Sequence, residues 1–158
     1  MESAGNRINE SRDIQGPTLA VPILSDARLR AFARDIGTAG ETKTVRVYYG
    51  ITQLYHDLVE LEVRGIIGKD VTWSRVNSRT AGDITYDPEK REVIWKLNAL
   101  PGTVKRIDGS FDITVPTSFS SSASVMESVV FSARDRIINV PISQPIEKLT
   151  ITESQDGL

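Results

Sequence analysis

Residues 82–97 read GDITYDPEKREVIWKL, and this stretch decides the fold. Ile84-Thr85-Tyr86 and Val93-Ile94-Trp95-Lys96-Leu97 carry β-branched and aromatic residues in alternation, which suits a pleated, half-buried surface. Between them, Asp87-Pro88-Glu89-Lys90 offers Asp at the first and Pro at the second position of a type I turn. The segment is therefore expected to be a β-hairpin.

The same two-residue period recurs outward from it. Ala27, Leu29, Ala31 and Ala33 alternate with Arg28, Arg30, Phe32 and Arg34, and the strict alternation selects strand over the helix that Ala, Leu and Arg would favour. In 42–53, Val45, Val47, Tyr49 and Ile51 oppose Thr44, Arg46, Tyr48 and Thr52. In 58–66, Val59, Leu61 and Val63 are expected inward, with Glu60, Glu62 and Arg64 outward. Further strands are expected at Leu19–Leu24, Val71–Trp73, Ser110–Val115, Val125–Asp135, Ile137–Ile142 and Leu149–Thr152. The first of these would be an edge strand, because Pro22 is tolerated only there. About nine short strands at intervals of roughly 8 to 14 residues, with Gly, Pro, Asn, Asp or Ser between them, point to an all-β sandwich. One apolar and one charged face per strand is the pattern of half-solvated antiparallel sheets.

The chain has 158 residues, enough for one domain with its own core. Residues 1–18 are polar and aperiodic and read as a tail or linker, 19–152 as the sandwich, and 153–158 as a C-terminal tail. The absence of cysteine removes disulfides, thiolate metal sites and cysteine nucleophiles. Nineteen basic and 21 acidic residues are interspersed, so no linear basic stripe is available for nucleic acid. No apolar run is long enough to span a membrane, and Met1–Asn6 does not resemble a signal peptide. Asn9-Glu10-Ser11 matches a glycosylation acceptor, a pattern common by chance.

Few residues look equipped for chemistry. His56 is the only histidine and stands beside Asp57, but neighbours in sequence rarely form an oriented dyad, and a multi-histidine metal site is impossible. Asp83, Asp87 and Glu89 gather around the hairpin. Calcium would need such oxygens, yet Lys90 and Arg91 would repel a cation and turn chemistry accounts for Asp87. The run Thr117-Ser118-Phe119-Ser120-Ser121-Ser122-Ala123-Ser124 carries no nucleophile motif and reads as a connection. Trp73 and Trp95 stand at inward positions, where core packing outranks an aromatic platform for a sugar ring. Tyr48 and Tyr49 must face opposite ways, so an outward Tyr48 beside Arg46 is a candidate contact surface, and Tyr55 adds a third tyrosine nearby. Catalytic, cofactor-binding and metal-binding residues are all expected to be none.

Taken together, VRVYYGITQLYHDLVELEVRGIIGKDVTW (45–73) and GDITYDPEKREVIWKLNALPGTVKRIDGSFDITVPTSF (82–119) resemble the immunoglobulin-like conserved-repeat domains of bacterial cell-surface and envelope proteins, of the candidate phyla radiation type. The shared pattern is a Gly-x-Ile-x-Tyr-x-Pro hairpin ending in Val93-Ile94-Trp95 and followed by the Leu100-Pro101-Gly102 turn. The sequence departs from it at Ile67-Gly68, where Leu-Pro is usual, and at Thr52-Gln53, where Thr-Asn is usual. The resemblance implies an immunoglobulin-like antiparallel sandwich of seven to nine strands, without catalytic residues, in a longer exported chain. It further implies a structural or adhesion module with a protein or cell-surface partner, self-association included. The alternatives are a glycan- or peptide-binding module, or an assembly subunit pairing strands through Leu19–Leu24 or Ile146–Thr152. A cytosolic chain is the alternative location.

Overall fold

In the computed structural model, which describes residues 27–54 and 57–152, the alternation is realised as ten strands and no helix. They are β1 (Arg28–Ala39), β2 (Thr42–Thr52), β3 (Leu58–Ile67), β4 (Thr72–Arg79), β5 (Asp83–Asp87), β6 (Glu92–Leu100), β7 (Arg106–Pro116), β8 (Ser124–Asp135), β9 (Pro141–Ile146) and β10 (Leu149–Thr152). The strand order is β4-β7-β2-β1-β10-β8-β3-β6-β5, with β9 paired to β8. The sheet folds over at β10 into two layers. Tyr49 of β2 stacks on Trp95 of β6 with ring centroids 6.2 Å apart, and meets Phe111 of β7 edge-on at 5.5 Å. The result is an immunoglobulin-like β-sandwich, as the hairpin and its flanks foretold.

Burial follows the predicted period. Leu29 and Ala33, Val45 through Ile51 at every second position, Val63, Val93, Trp95, Phe111, Ile113, Val129 and Phe131 form one core. Far from the β10 corner the two layers are joined by Trp73 of β4, which stacks on Tyr86 of β5 at 5.0 Å and 6°. Small residues make room at the tightest points. A Cβ on Gly65 would stand 2.9 Å from the Tyr49 hydroxyl and 2.4 Å from Met126 Cε.

Four expectations are corrected. Val59 does not point inward. The chain bulges between Val59 and Glu62, with Glu60 at φ 56°, so Leu58 and Leu61 take the core positions and Val59 is half-buried. Strand β4 continues to Arg79 well past Trp73; two register shifts against β7 break its period and conceal it in the sequence. The strand expected at Ile137–Ile142 lies at Pro141–Ile146 instead. Asp135 accepts the Ile137 and Ile138 N–H groups at 2.8 and 3.1 Å, turning the chain there and leaving Ile137 66% exposed. One strand pair is parallel, β1 with β10 through Ala33↔Ile151 and Arg34↔Thr152, in a sheet expected to be antiparallel throughout. Leu149–Thr152 pairs with β1 on one side and β8 on the other. Residues 1–26, Leu19–Leu24 among them, and 153–158 lie outside the described residues.

Candidate functional site

The hairpin acids work as turn and edge residues. Asp87 Oδ1 accepts the Glu89 N–H at 2.9 Å, and Asp83 pairs with Arg79 at 3.6 Å. Arg91 closes the turn at φ 53°, and its guanidinium donates to the Gly68 and Val71 carbonyls at 2.6 and 2.8 Å, tying the hairpin to the β3–β4 connection. His56 and Tyr55 lie outside the described residues. Asp57 ties loops together: its Oδ1 accepts the Gly102 N–H at 2.7 Å. Gln53, which in sequence only marks a departure from the repeat-domain pattern, has a structural role. It is buried, and its amide donates to the Pro101 and Val104 carbonyls at 3.0 and 2.8 Å. In the serine run, Phe119 packs against the core while Ser120 and Ser122 bond each other at 2.8 Å. Trp95 is buried with its indole N–H donated to Ala81 O at 2.8 Å, and Trp73 is covered by Tyr86. Neither tryptophan offers a free ring face.

The unusual surface is the outer face of β1, β2, β7 and β4. Registration aligns its outward residues into cross-strand rows. One row runs Arg34, Arg46, Asp112, Arg75. The next runs Phe32, Tyr48, Ser110, Ser78, and the one beyond it Arg30, Gly50, Asp108. Thus one carboxylate stands among three arginines in the first row, and two of them engage it. Arg46 grips Asp112 with two bonds of 2.7 and 3.1 Å, and Arg75 adds a third at 3.2 Å. The Asp112 side chain is 2% exposed. Burial alone would raise its pKa, but the Arg46 and Arg75 guanidinium groups outweigh burial and hold it below the ordinary carboxylate range.

In the second row, Phe32 and Tyr48 stack at 4.8 Å and 18°, and the Arg34 guanidinium sits over the Phe32 ring, 5.5 Å from its centroid. Arg34 Nε has no hydrogen-bond partner among the described residues. Beyond Tyr48 the side chains shrink to Gly50, Ser78 and Ser110. There they leave a hollow of about 540 Å³, rimmed by Arg30, Asn77, Arg106 and Asp108. Asn77 Nδ2 donates to Ser110 Oγ at 2.8 Å, and Arg106 pairs with Asp108 at 2.8 Å. Counting Arg28 beside them, six arginines face two aspartates here, in a chain whose net charge is −2.

The opposite sheet's outer face is balanced by contrast. Arg64 donates to Glu62 and Glu92, both at 2.9 Å, and Lys96 approaches Glu62 at 3.7 Å. The outward Tyr48 expected beside Arg46 is therefore part of a real surface feature. Its partners Phe32, Arg30 and Arg34 were legible as an outward set. The contributions of β7 and β4 were not, because only registration brings them alongside.

No protein-family model matches the chain, and no curated protein matches it in sequence. Solved structures do match in fold. The chain is similar to the full-length major pilin SpaD of Corynebacterium diphtheriae, at 8% identity and TM-score 0.56 over 90% of this chain and 37% of that one. It is similar to BcpA, the major pilin subunit of Bacillus cereus, at 6% identity and TM-score 0.50 over 95% of this chain and 44% of that one. A third likeness is to three N-terminal domains of the type V pili tip protein Mfa5 from Porphyromonas gingivalis, at 6% identity and TM-score 0.50 over 64% and 22% of the two chains. At such identities the likeness is one of fold. The chain spans less than half the length of each of these structures.

Proposed function

We propose that this chain is a non-catalytic structural or adhesion module of a bacterial surface or envelope protein. The observation that carries the reading is the sandwich itself, whose strand arrangement is similar to that of two major pilins over nine-tenths or more of this chain. The side-chain chemistry agrees with it. Asp57, Asp87, Asp112 and Asp135 each have their carboxylates engaged by N–H groups or guanidiniums that hold strands and turns in place. Catalytic acids and bases need free, aimed groups of matched pKa, and these four are committed elsewhere. Membership in the candidate-phyla type of repeat domain, export as part of a longer chain, and a protein or cell-surface partner belong to the same proposal.

Antibodies raised against the purified domain test it directly on the cells that make it. Immunogold labelling of intact, unpermeabilised cells is the expected result. Labelling that appears only after permeabilisation overturns the surface assignment.

A further inference from the structure

We propose that the hollow beside Tyr48 is a binding site for a carboxylated sugar ring within an acidic polysaccharide. Three independent features converge there. The first is an aromatic wall: Phe32 covers one face of the Tyr48 ring, and the other turns toward β7, where Ser110, Gly50 and Ser78 leave space beside it. A pyranose presents a face of C–H groups that packs against such a ring. The second is a polar rim that both donates and accepts. Asn77, Ser78, Ser110 and Asp108 line the hollow with Arg30 and Arg106, which matches the mixed donor and acceptor character of sugar hydroxyls.

The third feature is charge. Arg30 carries no carboxylate partner among the described residues, and it lines the hollow directly opposite Gly50 in register. A guanidinium fork recognises a carboxylate in two-point geometry. Arg28 and Arg34 extend the basic face along β1 on either side, so a chain of such rings has somewhere to continue. Asp108 adds acceptor oxygens beside the arginines: it is held by Arg106 at 2.8 Å and can still accept from a sugar hydroxyl, a donor that glutamate side chains and phosphodiesters lack.

Calorimetric titration of the whole chain with oligogalacturonate tests the site, with a neutral oligoglucan, polyglutamate and a single-stranded oligonucleotide in parallel. Oligogalacturonate should bind in the micromolar to millimolar range and weaken as salt is raised, because the arginines are solvent-exposed. Arg30→Ala and Tyr48→Ala should each weaken it about tenfold. Tyr48→Phe should retain binding. Gly50→Val fills the floor of the hollow, its Cβ 3.1 Å from an Arg106 nitrogen and 3.2 Å from Asp108 Oδ1, both at the ends of flexible side chains, and should abolish binding. Exposed Arg30→Ala, which should keep the wild-type melting temperature, guards against misfolding as the explanation. Equal binding of polyglutamate or the oligonucleotide overturns the proposal in favour of a general polyanion face. Equal binding of the neutral glucan overturns the carboxylate requirement, and no binding of oligogalacturonate at millimolar concentration overturns the site.

Discussion

Asp112 shows how a single buried carboxylate can organise a sheet face. It is almost fully enclosed and is engaged by Arg46 and Arg75 from the strands on either side of its own. Removing one partner of such a pair leaves the other charges stranded, so Asp112→Asn should cost about 2–4 kcal/mol, read as a lower midpoint in urea. The sign with pH follows from the lowered pKa. The stability is present above the unfolded aspartate value near 3.9 and is lost as pH falls through the folded value, so wild type and variant should converge in acid. A gap between them that stays constant from pH 6 to pH 3 would contradict this account. Tyr49 is the opposite case. Its hydroxyl is buried with no hydrogen-bond partner among the described residues, and burial pushes its pKa upward. Tyr49→Phe deletes an unsatisfied polar atom and keeps the ring stacked on Trp95 and edge-on to Phe111. It should leave thermal stability unchanged or raise it by about 1 kcal/mol. A drop of that size would mean that the hydroxyl has an unrecognised partner.

At the scale of the element, what the sequence disclosed and what it hid follow one physical rule. Strands β2, β6 and β8 keep an unbroken period of two over most of their length, and their apolar faces were legible residue by residue. Bulged strands were not. In β3 the bulge at Glu60 shifts Val59 off the core face, and in β4 two bulges scramble Trp-Ser-Arg-Val-Asn-Ser-Arg beyond recognition. Edge strand β9 begins later than the alternation suggests because the Asp135 turn takes up Ile137 and Ile138, and its Pro141 and Pro145 are tolerated because an edge can spare donors. The outer site was half-legible for a related reason. Alternation says which way Tyr48 points, but only pairing says what stands beside it. The β4–β5 turn offers the sharpest test at this scale. Gly82 sits at φ 74°, and a Cβ there would fall 2.3 Å from the Lys96 carbonyl oxygen. That oxygen is backbone and cannot swing away, so Gly82→Ala should destabilise by about 2 kcal/mol or more by thermal melting. An unchanged melting temperature would show that the turn has another conformation open to it.

At the scale of the whole molecule, the open edges β9, β5 and β4 among the described residues are each guarded. Strand β9 carries two prolines, β5 is five residues long with an aspartate at either end, and β4 is bulged and studded with Arg75 and Arg79. Such features discourage edge-to-edge pairing. Light scattering across a hundredfold range of concentration should therefore return a monomer mass. Growth of the particle with concentration would restore strand exchange as a mode of assembly. An assembly built from this domain would then have to use its faces or its loops, and the arginine-rich face is the one that differs most from a neutral surface.

The parallel pairing of β1 with β10 has a mechanical consequence. A pull applied at residues 27 and 152 draws the two strands past each other lengthwise, because the chain enters at the start of one and leaves at the end of the other. Their hydrogen bonds then resist together in shear. Handles placed at Asp83 and Lys96, direct partners in the β5–β6 hairpin, would instead load the bonds one after another, as a zipper opens. Single-molecule extension should give a distinctly higher rupture force in the first geometry than in the second. A domain wired in this way carries tension between its two ends without lengthening.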